Sequence, residues 1–507
     1  MTECLGALKQ RMAKLSDLHH AASLAQWDQQ TMMPLRGGQS RAESLATLEL
    51  ISHEMFIGDE TGRLLEGAAS ELDGADSDGD DACLVRLVRR QWEKARRVPA
   101  ELAAELTRAA SVGQEAWVVA RRDSDFAAFA PYLERNFELA RRYIDCHSGA
   151  GFECAYDVVL DDFEPQMKTS AVATLFSELK AELVPLIAEV TRHAGAVDDG
   201  LLHVPIPIES QRRLVSETIE LMGFDRAGWR MDDTVHPFAT SIGGGDVRIT
   251  TRWDERYFAG ALYGAMHECG HGLYEAGIPD SLRRSPLGAG ESLGMHESQS
   301  RLWENMVGRG RPFCGVLAPK IATLEGGSES DWSAEALYRA VNRVHPSFIR
   351  VEADEATYAL HIVLRFELEQ ELIEGRLAVE DLPEAWNARV KEYLGLEVRD
   401  DADGVLQDVH WSAGLIGYFP TYALGNLIAG QLWERVHADL PRLDDHIAAG
   451  DLAPLREWLG EHVHRHGSKF TTAELLEREA GGPIRVRPFM RYLEAKLADV
   501  YGLDLGA

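Results

Sequence analysis

His267-Glu268-Cys269-Gly270-His271 is the stretch on which the reading of this 507-residue chain turns. Two histidines four residues apart lie on one face of a helix, roughly 6 Å apart. One zinc ion can bridge that span. Glu268 projects beside them and is placed to take a proton from an attacking water. Asp254 suits an N-cap, Gly277 suits the C′ position and Pro279 follows. Together they predict a helix of about 22 residues with the motif at its middle. The run Gly243-Gly244-Gly245 and the alternation from Val247 to Arg252 precede it and read as a strand.

A catalytic zinc needs a third protein ligand and an open fourth position. No histidine stands six residues after His271, so the extended three-histidine pattern is absent. The acids that follow are Glu275, Glu291, Glu297 and Glu304. Glu275 shares the motif helix and is poorly turned to close a tetrahedron. Glu297 opens a new helical run after a Gly- and Pro-containing connection, Gly277 to Gly290, long enough to turn the chain back antiparallel. The third ligand is therefore expected at Glu297.

Outward from this centre, helical periodicity dominates. Residues 5–30, 84–122, 126–146, 170–193 and 209–222 carry apolar side chains at three- and four-residue spacing. Glu71 to Asp81, acidic and Gly-rich, reads as a loop. Leu202 to Ile208 alternates around two prolines and, with 247–252, is the strand territory. The expected fold is mainly α, with one small sheet beside the motif helix. It is expected as one catalytic unit over 1–507: helical over 1–200, sheet and zinc site over 201–310, and helical again over 311–507.

Hydrophobic residues at 45% and charged residues at 26% exclude a disordered chain. The net charge of −30 disfavours nucleic acid and anionic lipid as partners. Six sparse cysteines without CxxC spacing suit reduced thiols in the cytoplasm. The charged N-terminus does not read as a signal peptide. Trp411 to Trp433 lacks charge, but its glycines, Pro420, Asn426 and Gln431 favour a buried core element over a membrane span. His462, His464 and His466 imitate a metal cluster; without a visible carboxylate partner they read as a solvated face.

Several further runs make a resemblance specific. His236-Pro237-Phe238, Asp246-Val247-Arg248-Ile249-Thr250, His296-Glu297-Ser298-Gln299, Ile349-Arg350-Val351-Glu352-Ala353-Asp354, Gly404 to Trp411 and Gly417 to Tyr422 occur in order. With the motif helix they resemble the Taq-type metallocarboxypeptidases over essentially the whole chain. The resemblance implies a helical zinc peptidase with a long deep groove, usually a homodimer. It implies removal of single residues from peptide C-termini with broad specificity, with one Zn2+ per chain and Co2+ as a possible substitute. An oligoendopeptidase or dipeptidyl-type enzyme of similar fold is the alternative, and an inactive helical peptide-binding protein a further one.

For such an enzyme, Glu268 is the expected base. Donors to the oxyanion are expected at His410 and Tyr418, with Tyr422 in reserve. The substrate's terminal carboxylate needs a cation, for which Arg350 comes first and Arg248 second. The competing reading of Arg350 is an i,i+4 pair with Asp354 on a helix begun by Pro346. His236 is a further expected substrate contact.

Overall fold

The computed structural model describes residues 3–325 and 332–504. Helices make up most of it, and a three-stranded sheet of order β1-β3-β2 stands in the middle of the chain. The strands are β1 (Trp229–Asp233), β2 (Ala239–Gly243) and β3 (Asp246–Thr251). β3 runs parallel to β1 and antiparallel to β2, with Met231 and Ala239 both opposite Ile249. On β3, Val247 and Ile249 are buried against the motif helix side while Arg248 is turned away.

The expected helices form, with instructive departures. The periodic run 84–122 is two helices, Asp80–Ala95 and Ala100–Asp123, because Pro99 cannot continue the first and instead caps the second. Leu202 to Ile208 is not a strand: Gly200–His203 is a 3-10 turn, and a helix starts at Ile208. Helices Gly38–Ile57 and Asp59–Glu71 had no reading in the sequence. The first of them buries only Ser52, so it carries no apolar stripe to detect. Among the described residues no helix is long and apolar enough to cross a membrane. Trp411 to Trp433 is a turn-rich segment running into the helix Pro420–Asp439, which is buried along most of its length.

Two apolar cores hold these elements. The larger gathers residues from Ala120 onward, including the motif helix. The smaller joins the helices Glu3–Thr31, Asp59–Glu71 and Asp80–Ala95 to Ile278, Leu282 and Leu287 of the connection after the motif helix.

The motif helix is Phe258–Gly277, three residues shorter at its start than an N-cap at Asp254 would allow. Asp254 instead bonds the backbone N–H of Arg256 and holds a turn before the helix. The helix is apolar on nearly every side, as a fully enclosed core helix must be. Gly270, between the two histidines, lets the next helix approach: a Cβ there would stand 2.9 Å from the Gln299 carbonyl oxygen and from Ser300 Cα. That next helix, Leu293–Arg301, begins earlier than expected, capped by Ser292, whose Oγ accepts from Met295 N at 3.0 Å. Its other side is closed by Gly425 of the helix Pro420–Asp439, where a Cβ would meet Glu297 Cγ at 2.6 Å. Glu297 is thus clamped between two helices that touch through glycines.

Candidate functional site

His267, His271 and Glu297 converge on one point. Nε2 of His267 is 3.6 Å and Nε2 of His271 3.5 Å from the same oxygen, Glu297 Oε2. Ligand bonds of about 2.0–2.1 Å in a tetrahedron imply edges of roughly 3.3–3.4 Å, so these three atoms fit one ion. Among the described residues they are the group of side chains that can hold a metal.

Each ligand atom is aimed by a partner on its far side. His267 Nδ1 meets Glu304 Oε2 at 2.9 Å. His271 Nδ1 meets His296 Nδ1 at 2.6 Å, and His296 Nε2 meets Glu275 Oε1 at 2.8 Å. Glu275, unsuited to ligation, lies one turn beyond His271 and anchors this relay. Arg301 Nε donates to Glu297 Oε1 at 2.6 Å, while Oε2, which also accepts from Ser300 Oγ at 3.1 Å, faces the two histidines. Glu297 and Glu304 are seven residues apart and share a face; the chain between them widens into a π-helical turn, Leu302–Gly308.

Burial sets the charge states here. It pushes Glu268 up to about 7 and His271 down to about 4. Burial also opposes charge on His267 and on Glu297. Neighbouring carboxylates still raise His267, and Arg301 with the two histidines holds Glu297 far below the usual carboxylate range. Glu268 is buried and makes no hydrogen bond among the described residues, so its carboxylate is left for chemistry.

The segment after Asp408 forms a wall. His410 Nε2 lies 3.2 Å from the Tyr422 hydroxyl, and the rings of His410 and Tyr418 stand 5.2 Å apart. His410 Nδ1 is buried without a hydrogen bond among the described residues and faces Asp408 Oδ1 at 3.9 Å. Burial brings His410 down to about 4, so it is neutral at pH 7. Glu297 acts electrostatically on both Tyr418 and Tyr422, which ties the wall to the metal-binding group. Glu369 supports this wall from behind, accepting from the Tyr156 hydroxyl, from Trp411 Nε1 at 2.7 Å and from Gly417 N at 3.1 Å.

Arg350 is not paired with Asp354. It sits in a 3-10 turn, and Asp354 caps the helix Glu355–Ile373 through the backbone N–H groups of Ala356 and Thr357. Pro346 starts no helix. Arg350 instead bonds Asp408 Oδ1 at 3.0 and 2.8 Å, while Arg365 bonds Oδ2 of the same carboxylate. Two guanidinium groups on one carboxylate leave a net positive charge beneath Tyr422, whose ring is 5.0 Å from Arg350 Cζ. Arg248 pairs with Asp246 and stacks 4.2 Å over Trp27. His236 is exposed between β1 and β2. Among the described residues neither bonds to nor stacks on His267, His271 or Glu297.

The histidines near the C-terminus are not a solvated face. His464 is buried, its Nε2 2.9 Å from Gln299 Oε1 and its ring 5.2 Å from Tyr274. His462 and His466 share a carboxylate partner, Glu479. They are packing behind the centre. Sequence reasoning also missed Asp408 and Glu369; Asp408 had a signal, two residues before His410 in the Gly404 to Trp411 run, and Glu369 had none.

The family model described as carboxypeptidase Taq (M32) metallopeptidase matches residues 7–497. Thermostable carboxypeptidase 1 of Thermus thermophilus is 42% identical over 487 residues, covering 95% of each chain. Carboxypeptidase 1 of Bacillus subtilis is 37% identical over 490 residues, covering 97% of each. The crystal structure of an M32 carboxypeptidase from Deinococcus radiodurans superposes with a TM-score of 0.94 at 37% identity, covering 99% of this chain and 100% of that one.

Proposed function

The chain belongs to the carboxypeptidase Taq (M32) family of metallopeptidases and is a metallocarboxypeptidase, and from that premise we propose how its residues carry out the reaction. The observation that carries the proposal is the meeting of His267 Nε2, His271 Nε2 and Glu297 Oε2, with the unengaged carboxylate of Glu268 beside them.

His267, His271 and Glu297 hold one metal ion per chain, and two imidazoles with one carboxylate suit Zn2+, with Co2+ as a substitute. When bound, the ion supplies Lewis-acid polarisation of the scissile carbonyl and activation of water. Glu268 accepts a proton from the attacking water as the new C–O bond forms, and returns it to the departing amine nitrogen as the C–N bond breaks. His410 and Tyr418, with Tyr422 behind them, donate hydrogen bonds to the oxygen that gains charge. His410 is suited to this because a neutral imidazole can donate an N–H without adding a charge.

End selection follows from the Arg350–Asp408–Arg365 cluster, whose surplus positive charge attracts a terminal carboxylate; Arg248 and His236 contribute from the sheet side. The product is a single C-terminal residue, released with broad specificity. The whole of 1–507 acts as one catalytic unit. A homodimer in the cytoplasm is the proposed setting, and six cysteines without a disulfide suit it.

Timed mass spectrometry of peptide digests tests the reading. Free-acid peptides should shorten from the C-terminus one residue at a time. Chelator should stop this, and C-terminal amidation should prevent it. Internal cleavage of amidated peptides would support an endopeptidase instead.

A further inference from the structure

A cavity of about 550 Å³ adjoins the metal-binding group, reaching His296 and Phe163. His296 bonds the ligand His271, and the Phe163 ring stands edge-on to Tyr418 at 5.1 Å. The cavity lies at the seam between the two apolar cores: the helix Asp80–Ala95 closes one side, and the segment 286–293 the other.

Three turns of that helix present cations to the cavity, Arg86, Arg90 and Lys94, with Lys469 facing them. Four acids, Asp161, Asp162, Glu291 and Glu474, line the same cavity, so each cation must be read with its partner. Three of the four cations are engaged. Lys94 is held by Asp161 and Asp162, each at 2.7 Å. Lys469 is held by Asp80 at 2.6 Å, and Arg86 donates to the carbonyls of Ser77 and Lys469. Arg90 has neither a hydrogen bond nor an ion pair among the described residues, although it is half-buried. Glu291, which lines the same cavity and feels Arg90, does not neutralise it. Burial and the nearby Glu164 push Glu291 up to about 8, so it is largely uncharged at pH 7. A walled guanidinium without an anion suits planar, bidentate recognition of a carboxylate.

We propose that Arg90 binds an acidic side chain, Asp or Glu, of the peptide upstream of the scissile bond. The proposal rests on the peptidase reading given above. It places the acid upstream because the terminal carboxylate lies within about one residue, 3.8 Å, of the scissile bond. Arg90 stands farther off, with the His296 ring between its cavity and His271. The cation cluster around Asp408 serves the near position.

The test uses full-length, metal-loaded enzyme and Nα-acetylated peptides that share their last two residues and carry Glu or Gln at each earlier position in turn. The parent should prefer Glu at one position. R90Q should reduce that Glu-over-Gln ratio in kcat/KM about tenfold, mainly through KM, and R90K should restore part of it. Metal content and melting temperature, measured alongside, detect misfolding of either variant. No Glu preference in the parent, or an equal loss on Glu and Gln peptides, overturns the proposal. Equal loss would assign Arg90 to the terminal carboxylate or to structure. Calorimetric binding of the preferred Glu peptide to E268Q and to E268Q/R90Q separates the two readings. Weaker binding by the double variant supports the Arg90 site even if no peptide is shortened; equal binding removes the site even if peptides are shortened.

Discussion

Glu304 Oε2 lies 2.9 Å from His267 Nδ1, on the opposite side of the imidazole from the nitrogen that faces Glu297. The ring is therefore held with Nε2 free to bind a metal, and Arg301 and Arg309 hold Glu304 in turn. A ligand and its orienting partner contribute differently, and substitution separates them. Glu297→Ala should lower metal content well below one per chain. Glu304→Ala should leave the site able to bind, with affinity weaker by about 10- to 100-fold. Competition with a chromophoric chelator reads both values; equal losses would make Glu304 a ligand.

Glu268→Gln preserves shape but cannot accept a proton. Metal content should stay at the parent level while kcat falls on the order of 10²-fold or more. Activity within a few-fold of the parent, at full metal content, would remove Glu268 from the proton transfers.

Arg350 and Asp408 differ in what their loss should do. Arg350→Met removes a charge-assisted contact to the terminal carboxylate, lowering kcat/KM by roughly ten- to two-hundred-fold through KM. Asp408 stays paired with Arg365 in that variant. Asp408→Ala leaves two buried guanidinium groups facing each other, and should cost about 3–5 kcal/mol of stability. Steady-state kinetics and thermal melting of the two variants check the contrast. Equal destabilisation would give Arg350 a structural role.

Glu369 makes stability depend on pH. Burial raises its carboxyl from the ordinary 4.5 to about 7. The folded state therefore keeps a proton that the unfolded state releases between those values. Its contribution is fully present below pH 4.5 and is lost as pH rises through 7, about 3 kcal/mol in all. In E369Q the fall in melting temperature between pH 5 and 7.5 should be shallower than in the parent. Parallel curves would show that Glu369 does not titrate in that window.

The motif helix, strand β3 and the three side chains proposed to hold the metal were legible in the sequence because each rests on local spacing, whereas β1 and β2 were not. His267 and His271 share a face through helical pitch alone, and Asp246 to Ile249 alternates because one side of that part of β3 is buried. Glu297 could be chosen by its distance along the chain from the motif. The helix Gly38–Ile57 was not legible, since a helix that buries only Ser52 has no periodic stripe to announce it. Nor were partners separated by long stretches of chain: Arg350 with Asp408, Glu369 with Trp411, His464 with Gln299. Asp354 lies four residues after Arg350 and looked like its partner, but the chain between them is no α-helix and Asp354 caps the next one. Spacing along the chain determined the metal-binding pattern. Only the packing of helices decided which distant charges would be buried together, because an ion pair depends on proximity in space, and proximity between remote segments comes from the tertiary fold.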